Sequence, residues 1–166
     1  RTEGFKQYLL GALEYEGAVI ETPWTSTENI VYSEMEGETR ESAAAYFIAY
    51  LEEEAHAATG SIAAWEDSYL LGILDALESE TVNADNKVRF LEGAPFLGSC
   101  GGSKAMLDVL AGNSQYSSIQ ALGGIQTVQY NPALLEIAVR SMADHLAGTV
   151  VEQAQPQPIS WVTAQN

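Results

Sequence analysis

The sequence is poor in positive charge, and this shortage excludes several classes of partner. Seven Lys and Arg stand against 23 Asp and Glu, which gives a formal net charge of −16 at pH 7. Proteins bind nucleic acids and anionic lipid surfaces through groups of Lys and Arg, and the sequence has no basic cluster. We therefore exclude nucleic acids and membrane surfaces as partners.

Cysteine and long apolar segments are also scarce. Cys100 is the single cysteine, so no disulfide can form within the chain. The apolar runs are far shorter than the roughly 20 residues that span a bilayer, so we expect a soluble protein without membrane insertion. Arg1 in place of Met is typical of a processed form or a fragment. The acidic excess suits a saline or extracellular setting, because salt screens self-repulsion, although it also serves plain solubility.

The remaining composition is that of a globular protein. The chain has 166 residues, 46% of them hydrophobic, and a domain of this size buries about 68–70% of its unfolded surface without needing disulfides. Apolar residues recur at helical spacing over about 2–21, 39–58, 62–79, 104–111 and 131–153. Short strand-like patterns lie at 30–32, 88–90, 125–130 and 159–163. We predict loops between these segments, including 91–102.

These patterns predict an α+β, predominantly helical fold. It has four to five helices, a minor β-hairpin or small sheet, and an extended C-terminal arm. We place a single helical domain at residues 1–153 and the arm at residues 154–166. The second and third helices are predicted to form an antiparallel hairpin that turns at Gly60.

Carboxylates and histidines on these helices suggest a metal site. Glu53 and His56 are three residues apart and therefore share one helix face. In an antiparallel hairpin, Glu66 comes level with Glu53, while Glu16 and His145 fall within the apolar stripes of the first and last helices. Carboxylate and imidazole groups in a bundle core bind divalent transition metals. These five residues are therefore candidate ligands, and such a metal is a candidate cofactor.

The spacing of Glu53 and His56 resembles half of the motif found in ferritin-like di-iron bundles, which need two such motifs. The last helix offers Asp144 and His145 without the three-residue offset, so a second motif is lacking. The alternative is that the acidic run 52–54 forms a solvated helix face.

A glycine-rich segment at residues 98–104 offers a second candidate site. Its Gly-x-Cys-x-Gly pattern has the form of a nucleophile elbow. A thiol near a helix N-terminus and near Lys104 is a better nucleophile, so Cys100 is a candidate catalytic residue. The segment also resembles a phosphate loop, but Ser103 precedes Lys104 and breaks the Gly-Lys-Ser/Thr order. The alternative is a flexible connector that holds a structural thiol.

The C-terminal arm is the third candidate. Alternating Gln and Pro residues stiffen the chain, and an apolar strand with a Trp follows. An extended segment with an aromatic anchor is suited to pairing with a sheet edge on another molecule. The alternative is an arm that folds back on its own domain or a disordered tail. We predict interface residues at Trp161, Ile159, Val162, Pro156 and Pro158.

The leading hypothesis is a non-enzymatic structural or assembly subunit. It self-associates as a homo-oligomer or docks in a multi-subunit complex, through apolar helix faces and the C-terminal arm. The second hypothesis is a metal-binding helical-bundle protein with a carboxylate and histidine site, which would allow redox activity. The third is an enzyme that uses Cys100 as its nucleophile.

Overall fold

The computed structural model describes residues 14–15, 18–19, 30–31, 37–113, 115–129, 134–148 and 160–163. The chain divides into two units, Arg1–Glu34 and Met35–Asn166. In the first unit, strands β1 (Glu14–Tyr15) and β2 (Ala18–Val19) pair in antiparallel fashion. The prediction of a continuous helix over 2–21 is therefore wrong at these positions. The sequence between the strands is Glu-Gly, and a two-residue connection with Gly is typical of a hairpin.

The second unit contains five described helices and a four-stranded sheet. In chain order its elements are α1 (Arg40–Tyr50), a 3-10 helix (Glu54–Ala58), β3 (Ser61–Ala63), α2 (Asp67–Glu78), α3 (Ala84–Glu92), β4 (Phe96–Gly101), α4 (Lys104–Leu110), a second 3-10 helix (Ser118–Ala121), β5 (Gly124–Gln129), α5 (Leu134–Leu146) and β6 (Ser160–Thr163). The predicted α+β, predominantly helical fold with a small sheet is confirmed.

The four strands lie side by side in the order β3-β4-β5-β6. The first three are parallel, with Ile62 opposite Leu97 and Leu97 opposite Ile125. The last pair is antiparallel, with Val128 opposite Trp161. Parallel neighbours need a long crossover, usually helical, and here α2 with α3 connects β3 to β4, while α4 connects β4 to β5.

One face of the sheet is buried against these crossover helices. Leu97 of β4 and Ile125 of β5 belong to the same buried cluster as Leu74 of α2 and Met106 of α4. Residues alternate between the two faces along a strand. The second face therefore carries Ser61, Ala63, Phe96, Gly98, Cys100, Gly124, Gln126 and Val128, of which Val128 is buried.

Side-chain caps mark where several helices begin. Thr39 accepts a hydrogen bond from the Ser42 amide, and the Ser42 hydroxyl accepts one from the Thr39 amide, a capping box at the start of α1. Asn83 caps α3, and Ser103 caps α4. Such side chains satisfy amides that have no partner within the helix, and the starts of α1 and α4 were predicted from them, whereas the start of α3 was not.

Helices α1 and α2 cross in close contact at Gly72. A Cβ atom at this buried position would lie 2.8 Å from the Ala43 Cβ and would collide with the Arg40 carbonyl oxygen. Glycine is therefore required because the backbones approach so closely, although it lowers the intrinsic helix propensity.

A polar cluster closes the same pair of helices at one end. The Arg40 guanidinium binds both carboxylate oxygens of Asp75, at 2.5 and 2.7 Å. Arg40 also donates to the Tyr116 hydroxyl at 2.6 Å, and that hydroxyl donates to Asp75 at 2.8 Å. The hydrogen bonds from Arg40 hold the pKa of Asp75 below its usual value despite partial burial. This cluster ties the segment after α4 to the helical pair.

Several predicted elements differ from those in the structure. The helix predicted over 39–58 ends at Tyr50 and is followed by the 3-10 helix Glu54–Ala58, and residues 30–31 of the strand predicted at 30–32 are not in a strand. Residues 88–90, predicted as a strand, lie in α3, where Phe90 is buried and Val88 is exposed. Residues 96–101, predicted as loop, form β4. Residues 61–63, placed at the Gly60 turn and in the third helix, form β3, and α2 begins at Asp67. Short apolar stretches are ambiguous between helix and strand, and tertiary packing decides between them.

Candidate functional site

A buried carboxylate lies at the edge of the sheet where the parallel strands end. Asp67 is the first residue of α2 and only 3% exposed. Its Oδ1 accepts hydrogen bonds from the Ser99 hydroxyl at 2.7 Å and the Thr127 hydroxyl at 2.6 Å. Its Oδ2 accepts one from the Ser103 amide at 2.5 Å. We call these four residues the Asp67 cluster.

The glycines after β4 allow this cluster to form. Gly101 has φ +143°, and a Cβ atom there would lie 3.0 Å from the Asp67 Oδ2. Gly102 has φ +66°, and its Cβ would lie 2.7 Å from the Gln129 Cγ. Because L side chains rarely adopt such φ values, glycine is needed at both positions. The Gly102 amide also donates to the Thr127 hydroxyl at 3.3 Å, which completes the connection to β5.

The hydrogen bonds decide the ionisation of Asp67. Burial raises the pKa of this carboxyl, but donation from Thr127, Ser99 and Ser103 lowers it by more, so its pKa lies below the usual value. An ionised carboxylate that already accepts three hydrogen bonds is a poor proton acceptor, since a proton on either oxygen would displace or weaken the hydrogen bonds which that oxygen accepts. The Asp67 cluster therefore has a structural role: it holds α2, β4, the start of α4 and β5 together.

Sequence reasoning missed Asp67 because it placed the helix start at Ile62, which made residue 67 part of a helix interior. The available signal was an Asp directly before the apolar run of α2, since acidic residues favour the first turn of a helix. Its donors, Ser99 and Thr127, lie 32 and 60 residues away in the sequence, so they could not be identified from local patterns.

Cys100 does not lie at the turn where a nucleophile elbow would place it. It belongs to β4 and is opposite Val128 of β5. Ser99 points to the Asp67 cluster, so Cys100 belongs to the second face, on the other side of the sheet, where it is half-buried. Gly101 and Gly102 occupy the turn before α4, and Ser103 caps that helix. Residues 96–101, predicted as loop, form the strand that an elbow has before its nucleophile, but Cys100 lies within this strand and not at the turn after it.

The predicted metal ligands are not brought together within the described residues. Glu53 is 74% exposed, and its Oε2 lies 3.7 Å from the Nε2 of His56. Both residues lie in the connection after α1, at the N-cap and inside of a 3-10 helix. The His56 ring stacks on Tyr50 with centroids 3.9 Å apart, and Nδ1 lies 2.7 Å from the Tyr50 carbonyl oxygen.

Glu66 was predicted to lie level with Glu53 across a helical hairpin. Strand β3 intervenes instead, and Glu66 is the half-buried N-cap residue of α2. The side chains of Glu16 and His145 lie outside the described residues. No group of three or more His, Cys, Asp or Glu suited to a metal ion occurs in the part of the chain that the structure describes.

Part of the C-terminal arm forms the last strand of the sheet. Residues Ser160–Thr163 pair with β5 of the same chain, so that Val162 lies opposite Thr127. Val162 is half-buried and packs against the main core. The side chain of Trp161 and the whole of Pro156, Pro158 and Ile159 lie outside the described residues.

Helix α5 carries an exposed apolar surface. Val139 is 59% exposed, Met142 65% and Leu146 81%. Their spacing of three and four residues places them on one side of the helix, and we call them the α5 stripe. Glu136 and Arg140 form an ion pair at 2.8 Å, and Glu136, three residues before Val139, lies at the border of the stripe. The remaining exposed large hydrophobic side chains of the second unit are Val88 and Phe96, so the α5 stripe is the largest group of them in the described part of that unit.

The helices of the described ranges include none with both the length and the apolar character needed to cross a bilayer. A scan against protein-family models and a search of curated proteins each found no match.

Proposed function

We propose that the protein is a non-enzymatic assembly subunit that associates with copies of itself through the α5 stripe. The observation that carries this proposal is the exposure of Val139, Met142 and Leu146 on one side of a single helix. Single exposed hydrophobic residues are common on soluble proteins, but an aligned group rimmed by polar residues is typical of an interaction surface.

The free energy gained by burying the α5 stripe indicates how many such contacts an assembly needs. Full burial of a Val, Met or Leu side chain stabilises by about 1.5–3 kcal/mol, and these three are already partly covered. Burying the stripe therefore contributes roughly 4 kcal/mol per helix. Association costs about 4–15 kcal/mol in lost translational and rotational freedom. One stripe alone does not offset this cost, so the interface has to be repeated by symmetry or extended by a second surface.

Charge gives the proposal a second testable property. A net charge of −16 means that two copies repel each other, and salt screens this repulsion over a Debye length of about 8–10 Å near physiological ionic strength. Assembly through apolar surfaces is therefore expected to strengthen as the salt concentration rises.

The experiment measures mass by sedimentation equilibrium over a range of protein concentrations, with Met142→Glu as the disrupting variant. Because Met142 is exposed in the single chain, this variant keeps its fold, as circular dichroism will check. A charge at the centre of the interface should weaken association at least about tenfold, since about 1.4 kcal/mol corresponds to a factor of ten. Arg140→Gln is the matched control, because it changes the net charge by the same amount away from the stripe.

A chain that remains monomeric at all concentrations and salt levels would refute the proposal. Equal weakening by Met142→Glu and Arg140→Gln would refute it as well, since the effect would then come from net charge.

The C-terminal arm takes part in this proposal through β6. The place beside β5 is filled by the chain's own strand, and exchange of the same strand between copies would preserve every pairing. A version that ends at Gln153 lacks β6. Loss of assembly in this version would support exchange, whereas unchanged assembly with lower stability would limit the arm to its own sheet.

A further inference from the structure

The two methionines that the structure describes differ sharply in exposure. Met106 of α4 is 0% exposed and belongs to the main core, whereas Met142 of α5 is 65% exposed. The third methionine of the chain, Met35, lies outside the described residues. Because a dissolved oxidant has to reach the sulfur, oxidation of a thioether depends on its exposure. Of the two described thioethers, Met142 is therefore the one that an oxidant reaches in the folded chain.

The position of Met142 links its oxidation state to the proposed assembly function. It lies three residues after Val139 and four before Leu146, in the middle of the α5 stripe. Its flexible thioether adapts to irregular apolar surfaces, which is why methionine is frequent at binding surfaces. A partner that covers both Val139 and Leu146 covers the Met142 sulfur as well. A polar group placed on that sulfur would therefore lie at the centre of the contact.

Hydrogen peroxide supplies the chemistry for such a change. A lone pair of the Met142 sulfur attacks one peroxide oxygen, so that an S–O bond forms and the O–O bond breaks. The proton of the attacked oxygen moves to the departing hydroxide, which leaves as water. The sulfur is oxidised by two electrons and the peroxide is reduced by two. The product is a sulfoxide, whose polar oxygen accepts hydrogen bonds and is unfavourable in an apolar contact that offers no donor.

Assembly and oxidation at this position oppose each other. A buried Met142 sulfur in the assembled protein is shielded from peroxide, so separated copies react. Each oxidised copy then reassociates more weakly, because the sulfoxide oxygen loses its water when the α5 stripe is covered. By mass action, peroxide shifts the population toward separated chains. Methionine sulfoxide reductases reverse the modification, so the shift can be undone.

We propose that Met142 is a redox modification site, at which a peroxide converts the thioether to a sulfoxide and thereby weakens association through the α5 stripe. This inference rests on the proposed assembly function and adds the means by which an oxidant regulates it.

The experiment compares the association of the protein before and after treatment with hydrogen peroxide, by sedimentation equilibrium. Dithiothreitol is added after the treatment, because it restores a sulfenic acid or disulfide at Cys100 but leaves a sulfoxide in place. Mass spectrometry of the peptides locates the added oxygen. We expect one oxygen on the Met142 peptide, none on the Met106 peptide, and association weakened at least about tenfold.

Met142→Leu is the matched control. Leu keeps the apolar surface at nearly the same volume, so this variant should associate much like wild type. It retains Cys100, Met35 and Met106 but has no thioether at position 142, and its association should not respond to peroxide. As a second readout, Met142 in wild type should be oxidised several-fold more slowly at protein concentrations where the chain is assembled than at concentrations where it is dissociated.

Three results would overturn the inference. They are unchanged association of a protein oxidised at Met142, equal weakening of wild type and Met142→Leu, and a rate of Met142 oxidation that does not depend on assembly. The untreated samples separate the two proposals. An untreated protein that assembles but does not respond to oxidation overturns only the redox site, whereas an untreated protein that is monomeric at all concentrations overturns the assembly function and this inference with it.

Discussion

Replacement of Asp67 by Asn tests the Asp67 cluster with almost no change of shape. The Asp67 carboxylate is 3% exposed and accepts three hydrogen bonds. In the Asn variant, one oxygen becomes an NH₂ donor. If this group faces the Ser103 amide, two donors oppose each other. If the amide flips, the NH₂ faces the hydroxyls of Ser99 and Thr127, and Thr127 already accepts from the Gly102 amide.

Either orientation loses at least one hydrogen bond to an ionised group and leaves a buried donor without an acceptor. The first effect costs about 1.5–3 kcal/mol and the second about 1–3 kcal/mol. Because the site relaxes in part, we expect Asp67→Asn to lower the free energy of unfolding by about 3 kcal/mol. Domains are typically stable by about 5–15 kcal/mol, so the variant should still fold at 25 °C.

The pH dependence of this loss follows from the lowered pKa of Asp67. An ionised carboxylate with a lowered folded-state pKa contributes stability above its unfolded value of 3.8. That contribution is lost as the pH falls through the folded-state pKa. Asn does not titrate, so the difference between wild type and variant should be constant near neutrality and shrink below pH 3.8. The contributions of the other carboxylates cancel in this difference, provided that they are distant enough to be additive.

Urea unfolding, followed by far-UV circular dichroism and Trp fluorescence, measures the difference at pH 7 and pH 3. Ser99→Ala serves as the matched control, because it removes one donor but leaves the carboxylate with two, and it should cost about 1 kcal/mol. A variant as stable as wild type at pH 7 would contradict the structural role assigned to Asp67. A loss that stays constant down to pH 3 would contradict the assignment of its ionised form.

Two further variants test the packing of α1 against α2. Gly72→Ala places a Cβ atom 2.8 Å from that of Ala43. Although Ala is the better helix former, we expect this variant to lose about 1–3 kcal/mol of stability, measured by thermal unfolding. A variant more stable than wild type would contradict the close crossing of α1 and α2. Burial and the hydrogen bond to Asp75 raise the pKa of Tyr116 from 10.0 to about 12, so wild type should lose stability as the pH rises between these values. Tyr116→Phe should lower the free energy of unfolding by about 1 kcal/mol at pH 7. Above pH 10.0 the variant should lose less stability than wild type as the pH rises. Parallel curves of stability against pH for the two proteins would rule out the assigned hydrogen bonds.

Local signals in the sequence predicted much of the helical structure. The caps Thr39 and Ser103 and the apolar spacing of α2 act over a few residues, and they indicated helices that the structure contains. Strand β5, predicted at 125–130, lies at Gly124–Gln129. These signals succeed because caps and amphipathic periodicity depend on backbone geometry within one element.

The sheet and the Asp67 cluster could not be predicted in the same way. Strand β3 has three residues and β4 contains Gly98 and Gly101, so neither shows a clear alternating pattern. Their parallel register is set by contacts between segments far apart in the sequence. The prediction that a helix starts at Ile62 caused two further errors. It left no place for β3, and it put Asp67 in the interior of a helix.

The Asp67 cluster also has a consequence for the order of folding. Its three hydrogen bonds join residues that are 32, 36 and 60 positions apart along the chain. Closing loops of such lengths is entropically costly and slow, and the carboxylate gains its full set of donors only after β5 has joined β4. We therefore expect the turn before α4 to become ordered together with β5 rather than on its own. The Ser103 amide should accordingly exchange its hydrogen with solvent only when this whole unit opens, as slowly as amides in the middle of the sheet.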